Sequence, residues 1–237
     1  MKLHLLSVIG LHFDFDYLVH HTAYYQDKVD KMHYIFNLPE KDEELLSKAR
    51  ELLNDVDNDI STYLWEGQFN TQDKIDRQND VIESIDDKDW LIVPDVDEFH
   101  YYFGLSFREV IREHGKEHQT IFAEFIDRVS KSGKPLPLKK SPSIWLQFPN
   151  KEERTKGLDD AVTKRVSLMS AKRRLKTPHV SDEIRHDEYT GIVGDIHHFK
   201  WVSSTKEKLE QRVKDFKEIG LSWWKESEIA LEKFYKD

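Results

Sequence analysis

Four short apolar runs punctuate the first hundred residues, and after the first three comes a longer segment with apolar positions at helical spacing. LHLLSVIG (3–10) is compact, apolar and stopped by glycine, the pattern of a buried strand. DYLVHHTAYYQDKV (16–29) sets Tyr17, Leu18, His21, Tyr24 and Tyr25 at helical spacing. MHYIF (32–36) reads as a second strand, and NLPEKDEELLSKARELLNDV as a loop and a helix with Leu45, Ala49, Leu52 and Leu53 on one face. STYLW (61–65) is a third strand, TQDKIDRQNDVIESI (71–85) a helix with Ile75, Val81, Ile82 and Ile85 apolar, and DWLIVP (89–94) a fourth strand. Strand alternating with helix predicts a parallel sheet with helices on both faces. Ligands of such sheets sit outside the carboxyl ends of the strands, and Asp95 lies at one of those ends.

The pattern changes after residue 100. FREVIREHGKEHQ (107–119) reads as a helix, and TIFAEFIDRVS (120–130) alternates like a strand around Phe122, Phe125 and Ile126. KSGKPLPLKKSP (131–142) is a loop, SIWLQFP (143–149) a strand candidate, GIVGDIHHFKW (191–201) a short strand running into two histidines, and 204–219 an amphipathic helix. Trp223 and Trp224, in the last stretch, suit either a core or an interface. No internal repeat or free linker interrupts the chain, so it reads as one domain over 1–237, with parts at 1–100, 101–203 and 204–237.

Composition narrows the classes. Among 237 residues, 38% are hydrophobic and 12% aromatic, enough for a sizeable core. The absence of cysteine excludes disulfides, zinc–thiolate sites and a thiol nucleophile. The first residues lack the length of a signal-peptide core, and no stretch approaches the 18 or so apolar residues of a membrane span, so a cytoplasmic protein is expected. The formal charge of -9 is uneven: residues 131–176 hold 13 Lys/Arg against 4 Asp/Glu. Such a segment is either a solvated basic helix or a surface for an anionic partner.

Two clusters could carry chemistry. Asp95-Val96-Asp97-Glu98 follows the fourth strand, and on an extended segment Asp95 and Asp97 point the same way. Paired carboxylates make a hard oxygen site for Mn²⁺ or Mg²⁺, whose remaining shell comes from water and substrate phosphates; the bland alternative is an acidic turn. In GDIHHFKW, His197 or His198 could add a nitrogen ligand, or could be a satisfied core histidine. Neither GxxxxGK[ST] nor GxGxxG occurs, and no serine elbow suggests a hydrolase triad.

Taken together, LLSVIG, YLWEGQFNTQDKIDRQNDVI, DWLIVPDVDEF, AEFIDRV, WLQFP and HHFKW resemble a family 2-type glycosyltransferase with the GT-A fold, over about 200 residues. Their order resembles a subgroup of small bacterial and viral members. The first loop departs from the pattern: Gly10-Leu11-His12-Phe13-Asp14 stands where many relatives carry an Asn-Glu pair. The resemblance implies a Rossmann-like nucleotide-binding half, with a central mostly parallel sheet flanked by helices, and an acceptor-side half. It implies that Asp97 binds the metal directly, that Asp95 sits near the ribose and the metal's waters, and that His198 is the second metal ligand, with His197 as fallback. Lys200 could touch a phosphate. Ser7 and Asn37, just beyond strands one and two, fall where relatives hold the nucleoside, and Lys74 or Arg77 could reach the base or diphosphate. Glu124 and Asp127 stand where the family places its acceptor-side carboxylates. They lie on opposite faces of a regular strand, so they are alternatives for the general base, with Glu124 preferred and Asp127 pairing with Arg128 as its structural alternative.

The expected reaction is metal-dependent transfer of a sugar from a nucleotide-sugar, a UDP-sugar first, to a hydroxyl acceptor, with inversion. A glycan, a lipid-linked sugar, a protein or a hydroxymethylated base in DNA fits as acceptor, the last through the basic segment. A metal-dependent phosphoesterase, or a non-catalytic module that binds nucleotide-sugars, would use the same residues differently.

Overall fold

The computed structural model describes residues 1–158, 163–178, 180–182, 192–218, 220, 222 and 224–235. In chain order the elements are β1 (Leu3–Gly10), α1 (Leu11–Tyr25), β2 (Lys31–Leu38), α2 (Glu43–Asn54), β3 (Asp59–Glu66), α3 (Thr71–Glu83), β4 (Trp90–Ile92), β5 (Glu98–Tyr101), α4 (Phe107–His114) and β6 (Thr120–Val129). Then come α5 (Ile144–Gln147), β7 (Asn150–Glu152), a 3-10 turn (Thr155–Gly157), β8 (Lys164–Ser170), β9 (Leu175–Thr177), β10 (Val180–Ser181), β11 (Ile192–His198), α6 (Thr205–Glu218) and α7 (Trp224–Phe234). The chain is a mixed α/β protein whose sheet and flanking helices fit the Rossmann-like GT-A arrangement. It divides into two compact units, residues 1–124 with 164–196, and residues 125–163 with 197–237.

In the first unit the strand order is β3-β2-β1-β4-β8-β6-β11-β5. β1, β2, β3 and β4 run parallel, and β8 joins antiparallel to both β4 and β6. Leu6, Val8, Ile35, Leu91, Val93, Phe122, Val166 and Met169 pack with Ile75, Val81 and Ile82 of α3 into one core. This burial drives the alternation read from sequence. In the second unit β7 pairs antiparallel with the end of β6, Asp127 opposite Glu152. Val129, Leu158, Trp201, Leu209 and Ala230 form its core, with Ile229 and Phe234 of α7 packed against it.

Several expectations shift. The first helix starts at Leu11, immediately after β1, because Leu11 is buried; there is no loop at Gly10–Asp14. SIWLQFP is not a strand: Ile144–Gln147 is a helical turn. Its cause is local, since the Gln147 amide takes Lys139 N–H at 2.9 Å and donates to the carbonyls of Lys139 and Pro142 at 2.7 and 2.6 Å. The basic segment is not one solvated helix: Lys164–Ser170 is a strand with six of its seven residues buried. Trp223, Gly191 and Ile219 lie outside the described residues, and Trp224 begins α7.

Candidate functional site

In the first unit the last parallel strand ends at Ile92, paired with Leu5, and the chain turns over Asp95–Glu98. The segment is not extended. Glu98 N–H donates to the Asp95 carbonyl at 3.0 Å, and Asp95 N–H donates to the Glu98 carboxylate at 2.9 Å, so backbone and side chain close the turn reciprocally. Asp95 and Asp97 are half-buried and Glu98 is buried. Asp97 and Glu98 each offer a carboxylate oxygen, within 4.8 Å of one another, so the turn could take a divalent cation.

Two cations stand against these carboxylates. Lys74, buried on α3, donates to Asp95 Oδ1 at 2.5 Å. Arg165, on β8 and 1% exposed, donates through Nη1 to Asp95 Oδ2 at 3.1 Å and Glu98 Oε1 at 2.6 Å, and through Nη2 to the carbonyls of Val93 and Pro178, both at 3.0 Å. Burial pulls the guanidinium pKa down, but the Glu98 and Asp95 charges outweigh it and hold the value above the ordinary one. A planar fork suits this geometry better than a lysine would.

The nucleoside candidates are placed differently from one another. Asn37, near the carboxyl end of β2, donates to the carbonyls of Trp65 and Gly67 at 3.2 and 3.0 Å. Ser7 lies three residues inside β1, fully buried, rather than beyond the strand. Arg77 is exposed, with its guanidinium 5.2 Å from the Trp65 ring. Glu124, half-buried on β6, pairs in register with Lys164.

In the second unit Asp127 is 1% exposed. It accepts from Thr155 N–H at 2.6 Å, Thr155 Oγ1 at 2.7 Å and Trp201 Nε1 at 2.7 Å, and its Oδ1 lies 3.1 Å from His198 Nδ1. Burial would raise its pKa, but His198 and Thr155 together bring it below the ordinary value. The His198 ring stacks on Phe125, centroids 4.9 Å apart. Asp127 does not pair with Arg128, which donates to the Pro149 carbonyl and lies over Trp145. His197 packs edge-on to Trp145, and burial together with Arg128 and Lys151 pushes its pKa down to about 3. Lys200 lies 3.5 Å from Glu226 and over the Trp201 ring.

Arg165, Thr155 and Trp201 escaped the sequence reading. The only signal for Arg165 was the strand-like run VSLM directly after it. Trp201 closed the run HHFKW but was given no role there, and Thr155 carried no signal.

No protein-family model matches the chain, and no curated protein matches it. Solved structures do. Mannose-6-phosphate isomerase from Helicobacter pylori shows 15% identity over 72% of this chain and 71% of that one, with a TM-score of 0.40. 4-Diphosphocytidyl-2C-methyl-D-erythritol synthase shows 12% identity over 72% and 75%, TM-score 0.35. Residues 1–349 of S. aureus TarS show 8% identity over 91% and 65%, TM-score 0.36. Likeness at this level says nothing of activity. Among the described residues, no helix is long and apolar enough to cross a membrane.

Proposed function

We propose that this chain is a metal-dependent glycosyltransferase that moves a sugar from a nucleotide-sugar to a hydroxyl acceptor. The observation that carries the reading is the closed turn Asp95–Glu98 beyond the last parallel strand, its carboxylates held by buried Lys74 and Arg165. Buried carboxylates call for matching cations in any role; here Lys74 and Arg165 also fix Asp95 and Glu98 in place, and a cation-binding turn needs oxygens so fixed. Asp97 is the direct ligand of Mn²⁺ or Mg²⁺, and Asp95, already committed to Lys74 and Arg165, faces the ribose and the metal's waters. His198 is assigned as a cation ligand by the resemblance, with His197 behind it. When bound, the cation offsets the charge that builds on the diphosphate leaving group.

Asn37 stands at the nucleoside end of the sheet, with Arg77 and Lys200 as candidates for base and phosphate contacts. Ser7 is a weaker candidate now that it lies within β1. Glu124 is the base that takes the proton from the acceptor hydroxyl. Asp127 is unsuited to that step, because it is 1% exposed and its carboxylate is tied to Thr155, Trp201 and His198, three contacts on Oδ1 and one on Oδ2. The donor is a UDP-sugar, transfer proceeds with inversion, and a cytoplasmic setting suits such a donor. A glycan, lipid-linked sugar, protein or hydroxymethylated DNA base serves as acceptor. For the last, exposed Lys131, Lys134, Lys139 and Lys140 would meet phosphates.

The test is release of nucleoside diphosphate from a panel of nucleotide-sugars with Mn²⁺ and candidate acceptors. Glu124→Gln should lower kcat by about a hundredfold or more with donor binding unchanged. Release of nucleoside monophosphate and sugar phosphate in its place, independent of acceptor, would mark a phosphoesterase cutting the diphosphate and end the transferase reading.

A further inference from the structure

His198 and Asp127 form a pair whose proton can be located from the partners alone. Trp201 Nε1 and Thr155 N–H can only donate, and both lie within 2.7 Å of the Asp127 carboxylate. With donor-only groups on both of its oxygens, Asp127 is the acceptor-only, ionised form. An acceptor-only group 3.1 Å from His198 Nδ1 requires the proton on Nδ1. Thr155 Oγ1, 3.4 Å from the same nitrogen, gives its own proton to Asp127 and so turns only a lone pair toward the ring. The Phe125 ring, stacked at 26°, opposes rotation of the imidazole.

Resting on the proposed role of His198 as a cation ligand, we infer that Asp127 is a positioning residue. It fixes the His198 imidazole in the Nδ1–H tautomer, so that Nε2 carries the lone pair offered to the metal. Metal-binding histidines commonly give their second ring proton to a carboxylate, which sets the tautomer and strengthens the ligand. Thr155 serves the same end one step further out, holding the carboxylate through its N–H and its hydroxyl. This gives the aspartate of AEFIDR a task on the metal side of the reaction rather than on the acceptor side.

The experiment uses the full chain with ¹⁵N-labelled histidine. Long-range proton–nitrogen correlation, recorded over a rising pH series until the ring signals stop changing, reads the tautomer of the neutral ring, with His198 assigned by its loss in His198→Gln. The expected signal is a protonated Nδ1 and a bare Nε2; the opposite tautomer overturns the inference, and this reading needs neither donor nor metal. Mn²⁺ titration by electron paramagnetic resonance then compares wild type, Asp127→Asn and Trp201→Phe. Asp127→Asn should weaken binding about 10- to 100-fold, while Trp201→Phe, which leaves the His198–Asp127 bond in place, should stay near wild type. Equal weakening in both variants would show a merely structural role and overturn the inference. Wild-type protein with the expected tautomer that binds no Mn²⁺, with or without nucleotide, would overturn the metal role on which the inference rests while leaving the pairing intact.

Discussion

Replacing Arg165 with methionine tests whether the acidic turn depends on its buried cation. The substitution keeps most of the aliphatic volume and removes four hydrogen bonds, those to Asp95, Glu98, Val93 and Pro178. Asp95 keeps Lys74 at 2.5 Å, but the Glu98 side chain, 2% exposed, loses its 2.6 Å cation; His100 stands at 3.9 Å, its pKa lowered chiefly by burial. Breaking a buried pair by removing one partner costs about 3–5 kcal/mol, because the remaining charge is left uncompensated. For a chain of this size, that corresponds to a fall in Tm of about 6–20 °C. Urea denaturation followed by tryptophan fluorescence gives the free energy directly. Arg165→Lys should recover part of the loss, since charge returns without the fork. Arg165→Met combined with Glu98→Gln should recover more, since the stranded charge is gone. A single Arg165→Met variant within about 1 kcal/mol of wild type, the range of an ordinary surface ion pair, would refute the reasoning.

Two further predictions concern the first unit. His21, fully buried, has its pKa pushed down to about 3, first by burial and then by His100. The unfolded chain protonates this ring near pH 6.5 while the folded one does not, so its contribution is fully present above pH 6.5 and is lost as pH falls toward 3; at pH 5 the loss is about 2 kcal/mol. Denaturation of wild type and His21→Gln at pH 7 and 5 should show a flatter dependence in the variant, and identical slopes would contradict the assignment. Gly194→Ala would set a methyl 2.5 Å from the Tyr102 ring and 2.6 Å from the Tyr101 carbonyl, where β11 passes β5. It should cost about 1–3 kcal/mol of stability by overpacking, measured in the same way.

Most strands and helices of the first hundred residues were legible because they are amphipathic or largely buried over enough residues to show a period; β3, which buries only Trp65, was legible from its run of Thr, Tyr, Leu and Trp. The place of the acidic cluster was legible for the same reason, since an apolar strand that ends in Pro94, Asp95, Asp97 and Glu98 announces where the sheet opens, but its closure into a turn, where an extended segment was expected, was not. What failed were places where one side chain decides the local structure. Gln147 ties the loop at Lys139 and Pro142 to the helical turn through three hydrogen bonds, and no periodicity over SIWLQFP records that. Arg165 looked like one of many basic residues in a lysine-rich stretch, yet it lies in a sheet interior with its charge matched by carboxylates 67 and 70 residues away in sequence. Asp127 could be placed on the face opposite Glu124 by strand alternation, but Thr155, His198 and Trp201 converge on it from 28, 71 and 74 residues away. Contacts of that range have no local pattern, and they are what separates a base from a positioning carboxylate.

The most direct test of the central claim is donor binding at the acidic turn. Thermal shifts of wild type and Asp97→Ala, with and without Mn²⁺, should be measured across a panel of nucleotide-sugars. The account predicts stabilisation by one nucleotide class, a UDP-sugar first, that requires the metal and disappears in Asp97→Ala while the variant itself still melts cooperatively. At a donor concentration a hundredfold above Kd the stabilisation would be about 2.7 kcal/mol. A cooperatively melting wild type that no nucleotide-sugar shifts, or one that shifts equally in Asp97→Ala, would contradict it.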